Sequence, residues 1–454
     1  MRYFINTIKT IALICGLLLL AFVIINWGDE KLKPEVAQAL DWKPPHDAFE
    51  DNGYLTLLGI EAPAEMSAKQ VGTKFLKAEL ARYASMQKTH KESLAIEQNP
   101  AEIHQYIDWK DNHCDYIAQA NCVDFYLKQG AAKLTVLLAS QDRLAARFDA
   151  IMQSKSYVEV MPPMISAQIP SYSPLMNASE LARIQAVVEI SEGHLKQGVA
   201  KFAENATFSR RLLRESNSLV SHMLAISMMQ KDTRVLSELM IKYPAIASEY
   251  SAQLMPILVP ITSPEYMLSK AFIVERNRVF PVISNMKNTT ASELAGEKTP
   301  YLQKVWIKFG FQPNSTMNLI CKQANNMIDL AELDAAQFAI KKAHYLAIQK
   351  ENSEVVDYRL LTQKNPIGRI LASISAPEYD KYIERQHDLD GYLYMVNFQL
   401  IAQLNKLEIK KLTLHDPYNN LMQYDASRGV LTFKGRQPST GNYNKSSQYQ
   451  VKLQ

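Results

Sequence analysis

Glycine is scarce in this sequence, with 15 residues among 454. Folds built from strands and tight turns need many positions with positive φ, which glycine adopts at little cost. The shortage therefore favours helices joined by short polar loops. Because hydrophobic residues make up 47% of the chain and charged residues 21%, the composition is that of a globular protein rather than a disordered one.

An excess of one charge is also lacking, since 50 basic residues stand against 46 acidic ones and the net charge is +4. A protein that binds the phosphates of a nucleic acid needs a strongly basic face. We therefore expect no nucleic-acid partner.

Sequence motifs of catalysis are missing as well. The chain has no H-E-x-x-H, G-x-S-x-G, G-x-x-x-x-G-K-[ST] or G-x-G-x-x-G pattern, and none of its nine histidines forms an i, i+4 pair. Such patterns place metal ligands, nucleophiles and phosphate-binding loops in the geometry that their chemistry needs. We therefore predict no catalytic, cofactor-binding or metal-binding residue.

What the sequence does contain is one long apolar run, residues 10–27, without a single charged side chain. As a helix it would be about 27 Å long, close to the thickness of the hydrocarbon core of a bilayer. Trp27 lies where an interfacial aromatic residue belongs, and Asp29 ends the run. We predict a transmembrane anchor over residues 10–27 and a short cytoplasmic N-terminus over residues 1–9.

Other interpretations of this run fit less well. A cleaved signal peptide would have a shorter apolar core and a small-x-small site directly after it, whereas Ala37-Gln38-Ala39 follows ten residues beyond Trp27. A lipoprotein signal would use Cys15, which lies inside the run after the bulky Ile14. A buried core helix would not need so long an uninterrupted apolar stretch.

Two of the four cysteines, Cys114 and Cys122, lie close together in the sequence. On one straight helix their Cα atoms would be about 12 Å apart, and a disulfide needs less than about 7 Å. We predict a structural disulfide, with the chain turning at Gln119-Ala120-Asn121. Free thiols in a reducing compartment, or a metal site that includes His113, are the alternatives. We expect Cys321 to be a small buried residue.

The orientation follows from the cysteines more than from the basic residues. Arg2 and Lys9 precede the apolar run while Lys31 and Lys33 follow it, so the difference across the membrane is slight. A disulfide requires an oxidising compartment. We therefore expect a single-pass protein of the bacterial inner membrane with a periplasmic body.

The remaining chain predicts an all-α fold, mainly helical hairpins, with a small C-terminal antiparallel β flap. Apolar residues at helical spacing predict helices near 67–86 and 131–152, a helical series over 178–243, and further helices near 265–275, 315–329, 332–349 and 376–407. Breaks expected at 197–198 and 231–232 are one tetratricopeptide period apart, but ordinary antiparallel helical hairpins give the same pattern and are the preferred interpretation. Two strands around the turn at 425–429 and a third near 449–453 form the flap.

These elements divide the chain into consecutive regions. After the anchor we expect a Pro-rich stalk (28–65), an N-terminal helical subdomain that contains Cys114 and Cys122 (66–157), a linker (158–175), a helical domain (176–413) and a C-terminal hairpin and tail (414–454).

Three short segments resemble a family of N-terminally anchored proteobacterial inner-membrane proteins of unknown function. They are Asn52-Gly-Tyr-Leu-Thr-Leu-Leu-Gly59 with Ala62-Pro63, Asn365-Pro-Ile-Gly-Arg369, and Asp416-Pro-Tyr-Asn-Asn420. The last also resembles an Asp-Pro-x-x-Gly tail of envelope proteins, with Asn420 in the place of the glycine. The resemblance implies location and fold, and implies no reaction.

Polar clusters suggest two further sites. A candidate patch for an anion or a partner consists of Arg210, Arg211 and Arg214. The alternative interpretation is an ordinary solvated helix face. His387-Asp-Leu-Asp-Gly391 resembles part of a calcium loop, but Asn397 stands where the bidentate glutamate belongs.

Two functions remain open at this point. The first is a non-enzymatic scaffold or protein-interaction module that binds the bilayer through residues 10–27 and also binds another protein or itself. The second is a membrane-tethered periplasmic enzyme, hydrolase-like, whose site draws on dispersed residues: Arg210, Arg211, His222 and Asp390.

Overall fold

The structure, a computed structural model, describes residues 2–89, 113–116, 119, 121–262, 265, 268–286, 301–353, 363–375, 379–407, 413–437 and 448–453. Within these residues the regular structure consists of 17 helices and one three-stranded antiparallel sheet near the C-terminus. The predicted fold class, all-α with one N-terminal apolar helix and a small β flap, is confirmed.

The first helix, α1 (Arg2–Ile25), contains the apolar run. Its segment Tyr3–Ile25 is long and apolar enough to span a membrane. The most apolar 18-residue stretch in this segment has a mean hydropathy of 2.8, and only 6% of that stretch is buried. The helix begins earlier than the predicted anchor because residues 2–9 contain neither proline nor glycine to stop it. Gly28, at φ 82°, lies just beyond its end.

The expected stalk at 28–65 is instead part of the folded body. Pro34 begins α2 (Pro34–Leu40) rather than breaking a helix, because the first helical position needs no backbone N–H donor. Helix α3 (Gly53–Leu58) is buried at every residue, and Asn52 caps its N-terminus. A Cβ at Gly59 would collide with the carbonyl oxygen of Ala68, so glycine allows α3 to lie directly on α4 (Ala68–Thr89).

The predicted helix over 131–152 is two helices, α6 (Ala131–Ser140) and α7 (Asp142–Met152), which are separated at Gln141 and preceded by α5 (Cys122–Gln129). The predicted linker at 158–175 has no regular structure before α8 begins at Ser173. Most of it is nevertheless buried, and Met161 and Met164 pack on Tyr83. The largest core cluster contains residues from both sides of it, so the packing shows no domain boundary there.

Three long helices form the centre of the body: α8 (Ser173–Ser191), α9 (Leu195–Glu215) and α10 (Leu219–Lys242). Both predicted breaks are wrong. The first turn occurs at Gly193, at φ 89°, while Gly198 lies inside α9 against Ala186 and Ile190 of α8. Residues 231–232 lie in the middle of α10, so the helices are ordinary hairpins without a 34-residue repeat.

The second half continues with helices and ends in the sheet. The helices are α11 (Ala245–Leu258), α12 (Leu268–Met286), α13 (Tyr301–Gly310), α14 (Pro313–Ala331), α15 (Ala335–Ser353), α16 (Pro366–Ile374) and α17 (Asp380–Asn405). Strands β1 (Gln423–Asp425), β2 (Val430–Lys434) and β3 (Gln448–Lys452) pair antiparallel in that order, with Phe433 opposite Tyr449. These two rings stack at 4.8 Å, and the Phe433 ring packs on Gly391 of α17.

Candidate functional site

The C-terminal end of α1 is held by the body, unlike the rest of that helix. Phe22 is 4% exposed and Asn26 3%, whereas most residues of α1 are exposed. Oδ1 of the Asn26 side chain accepts a hydrogen bond from the backbone N–H of Asn365 (2.7 Å). The backbone carbonyl oxygen of Asn26 accepts another from Nε2 of Gln312 (2.9 Å). The polar groups at the end of the apolar helix are therefore satisfied by the body.

Asn365 is the centre of this contact. Its φ of 55° is left-handed, which asparagine tolerates better than most residues, and it precedes Pro366, the first residue of α16. Its Oδ1 accepts hydrogen bonds from the backbone N–H groups of Gln312 (2.9 Å) and Gly368 (3.2 Å). Its Nδ2 donates to Oγ1 of Thr316 (3.0 Å). The second segment of the family resemblance thus contacts the C-terminal end of α1.

The chain that leaves α1 is bound to the N-terminus of α14. The Asp29 carboxylate accepts hydrogen bonds from the backbone N–H groups of Asn314 (2.8 Å) and Ser315 (2.9 Å), which would otherwise lack partners within the helix. A carboxylate is also favoured there by the helix dipole. Asn318, one turn further on, bonds the backbone of Lys31 (2.9 Å) and Lys33 (2.9 Å). We name residues 26–33, with their partners on α14 and at Asn365, the anchor junction.

Cys321 lies beside the anchor junction and is buried, as predicted. Its thiol donates a hydrogen bond to the Glu35 carboxylate (3.1 Å). Burial raises the pKa of Cys321 to about 11, while the hydrogen bonds from Cys321 and Asn325 lower the pKa of Glu35. A thiol with so high a pKa is protonated at neutral pH and is a poor nucleophile.

The sulfur atoms of Cys114 and Cys122 lie at disulfide-bonding distance, with their Cα atoms 5.5 Å apart. The short loop between them rests on α10. Arg234 donates to the carbonyl oxygens of Tyr116 and Gln119, and Glu238 accepts from the backbone N–H of Cys122 (2.8 Å). Asn121, the last residue of the expected turn, caps α5 directly before Cys122, while Ala120 lies outside the described residues.

A buried network of charges connects this loop to the core. Arg183, which is fully buried, bonds Glu180 (2.7 Å) and Asp232 (2.7 Å), and the hydroxyls of Tyr116 and Tyr126 donate to Glu180. Burial raises the pKa of Glu180, but Arg183, Lys231 and the hydrogen bonds outweigh it, so the pKa is lowered. For Asp232 burial prevails and raises the pKa. Sequence reasoning missed this network, although charged residues within the apolar stretches of α8 and α10 were a signal for it.

The arginines of the candidate patch do not share a surface. Arg210 is buried and binds Glu265 (2.6 Å) and the carbonyl oxygens of residues 257, 259 and 260. Arg211 binds Glu215 (2.9 Å) and the carbonyl oxygen of Ser154 (2.7 Å). Arg214 has a half-exposed side chain beside Glu215. The first two are committed to the fold, so an anion or partner patch stays a prediction for Arg214 alone.

The dispersed polar residues proposed for an enzyme are also engaged inside the chain. His222 bonds Gln386 (2.8 Å), and Asp390 accepts from the backbone N–H of Ile261 (2.7 Å). Burial lowers the pKa of His222 to about 4. The cavity beside Arg210 has a volume of about 10 Å³, which is room for about one water molecule.

Residues 387–391, which resemble part of a calcium loop, lie within α17. A calcium loop must fold its ligands around the ion, whereas a continuous helix spreads them along its axis. Asp388 instead accepts hydrogen bonds from Tyr418 (2.8 Å) and from the backbone of Gln437 (2.8 Å), and so fixes the β flap on α17. In the described part of the chain, no group of three or more metal-binding side chains occurs.

The sequence and the structure were compared with family models, curated proteins and solved structures, and no significant match was found.

Proposed function

We propose that this protein is a single-pass, N-terminally anchored protein of the bacterial inner membrane, with a periplasmic body that acts as a non-enzymatic scaffold or protein-interaction module. The observation that carries the proposal is the bond between Asn26 and Asn365 (2.7 Å), because it fixes the body directly to the end of the apolar helix. A body mounted in this way presents its surfaces at a constant height and orientation. That property suits a binding platform on a membrane.

The cysteine pair supports the periplasmic location. Cys114 and Cys122 are within bonding distance in a loop that Arg234 and Glu238 hold in place. Disulfides persist in oxidising compartments such as the bacterial periplasm and are rare in the cytosol. The resemblance of three segments to anchored inner-membrane proteins agrees with this location.

The packing of polar side chains supports a non-catalytic role. Arg210, Arg211, His222 and Asp390 each have partners inside the chain. A surface groove with a volume of about 480 Å³ lies between the ends of α10, α11 and α17, and its lining contains none of these four residues. An active site would bring such groups together in one accessible cleft.

Chemical crosslinking in living cells tests the proposed interaction. The tagged full chain is crosslinked, purified in detergent and examined by mass spectrometry, with Asn365→Ala as the junction variant and Asn405→Ala, an exposed position on α17, as its matched control. Reproducible crosslinks to one protein, or between two copies, that weaken only in Asn365→Ala are expected. A wild-type chain that yields no reproducible crosslink would contradict the role as an interaction module.

Labelling of a single added cysteine tests the location. Lys133→Cys puts a thiol on an exposed position of α6. In a periplasmic body it reacts with a membrane-impermeant maleimide in intact spheroplasts. Reaction only after the spheroplasts are lysed would place the body in the cytoplasm.

A further inference from the structure

The body packs against α1 at a point before the C-terminal end of this helix. Phe22 precedes Ile25, the last residue of α1, by three positions, which corresponds to about 4.5 Å along a helix. In a bilayer, Phe22 therefore lies on the membrane side of the helix end. Yet Phe22 is only 4% exposed, so part of the body must lie at its depth.

Three residues of the body meet at this point. A Cβ built on Gly310, at the end of α13, would lie 3.2 Å from the Phe22 ring, 3.3 Å from Pro366 and 3.6 Å from Ile367. The Phe22 ring therefore packs against the end of α13, where the start of α16 also packs. Asn26, one turn further along α1, is bound by the same part of the body through Asn365.

The side chains around this contact have the chemistry of a membrane interface. Trp27 is 74% exposed and stacks on Phe309 at 6.2 Å. Lys308 and Arg369 are exposed, and Arg369 bonds back to the carbonyl oxygen of Lys364 (3.1 Å), which keeps its head near Asn365. Aromatic rings with flanking basic residues are favoured at the headgroup layer, where anionic lipids attract the positive charge.

We propose that Trp27, Lys308, Phe309, Ile367 and Arg369 form a membrane-contact patch that lies in the headgroup layer, so that the body rests on the bilayer and favours anionic lipid. This inference depends on the proposed function, because it requires α1 to span the membrane. Given that span, the depth of Phe22 brings the ends of α13 and α16 to the lipid surface. A body on a long flexible tether would have no such fixed contact.

Fluorescence quenching tests the patch. In a background with Cys15→Ser and Cys321→Ser, an environment-sensitive thiol probe is attached to Lys308→Cys in the patch or to Lys133→Cys on α6, and both positions are exposed lysines on helices. The full chain is reconstituted in vesicles of phosphatidylethanolamine and phosphatidylglycerol. A headgroup spin label is the quencher, and flotation of the vesicles is measured in parallel.

We expect the protein to float with the vesicles, the probe at position 308 to lose most of its emission, and the probe at position 133 to keep its emission. A protein that floats but leaves both probes unquenched would overturn the patch while the anchor stands. A protein that does not float would overturn the anchor and the patch with it. Equal quenching in vesicles of phosphatidylcholine alone would overturn the preference for anionic lipid.

Discussion

Asn365 donates its backbone N–H to the side-chain oxygen of Asn26 across 339 residues of sequence, at 2.7 Å. The same asparagine caps α16, orients Gln312 and binds Thr316. One residue therefore joins the apolar helix, the N-terminus of α14 and the start of α16.

Asn365→Ala is expected to lower the free energy of unfolding by about 2–3 kcal/mol. It removes a helix cap and buried hydrogen bonds, and it places alanine at a left-handed φ that asparagine tolerates better. Urea unfolding of the purified chain in detergent measures the loss. Asn365→Gly also removes the side chain but permits the positive φ, so it should lose less than Asn365→Ala. Equal stability of the wild type and both variants would show that the junction contributes nothing.

Arg183→Ala is expected to destabilise the body by about 3–5 kcal/mol, because it removes the guanidinium that pairs with both buried carboxylates, Glu180 and Asp232. The comparison variant is Arg214→Ala, whose half-exposed side chain should change the free energy of unfolding by less than about 0.5 kcal/mol. Both values come from urea unfolding followed by circular dichroism. A cost for Arg183→Ala as small as that for Arg214→Ala would contradict the network's structural role.

Cys122→Ser is expected to lower the free energy of unfolding by about 2–3 kcal/mol, because the unfolded chain loses the constraint of the disulfide loop. Thermal unfolding is measured with and without a reductant. The reductant should bring the wild type close to the variant and leave the variant unchanged. An unaffected wild type would mean that the two thiols are not joined.

His222 gives a pH dependence with a defined sign. Its pKa is lowered from 6.5 to about 4 by burial, so between these values the unfolded chain binds the proton more readily than the native protein. The contribution of His222 to the free energy of unfolding is therefore fully present above about pH 6.5, and it declines as the pH falls towards 4. Because one pKa unit corresponds to about 1.36 kcal/mol, the full decline approaches about 3 kcal/mol.

His222→Gln removes this titration while keeping a side chain that can bond Gln386. The difference in stability between the wild type and the variant should therefore shift against the wild type as the pH falls from 7 to 4. His387 and Asp388 titrate in both proteins and cancel in the comparison. Parallel pH profiles would show that His222 is not neutral and buried.

The elements that the sequence predicted well are those with a local cause. The uncharged run gives α1, helical spacing of Val71, Leu76 and Tyr83 gives α4, and the turn at 425–429 gives the hairpin. Each signal depends on neighbours within a few residues along the chain. The predicted Cys114–Cys122 pair is of the same kind, since the two residues are only eight positions apart.

The errors concern contacts that are distant in sequence. Proline near residue 34 indicated a stalk, but Glu35 and the backbone of Lys33 bind α14 nearly 290 residues away in sequence. The sequence predicts a helix break at Gly198, but the glycine is required by the close approach of α8, which cannot be read from its neighbours along the chain. The structural role of the Asn365 segment cannot be predicted from the sequence for the same reason, since its partner Asn26 lies at the end of the first helix, 339 residues away.

Limited proteolysis of membranes prepared from cells that express the protein is the most direct test of the central claim that the body is fixed to the end of α1. Trypsin cleaves after lysine, and Lys31 and Lys33 lie in the anchor junction, bound to Asn318. After brief digestion of open membranes, the account predicts that the C-terminally tagged body stays in the membrane pellet. Rapid release of the intact body into the supernatant, with cleavage at Lys31 or Lys33, would contradict it.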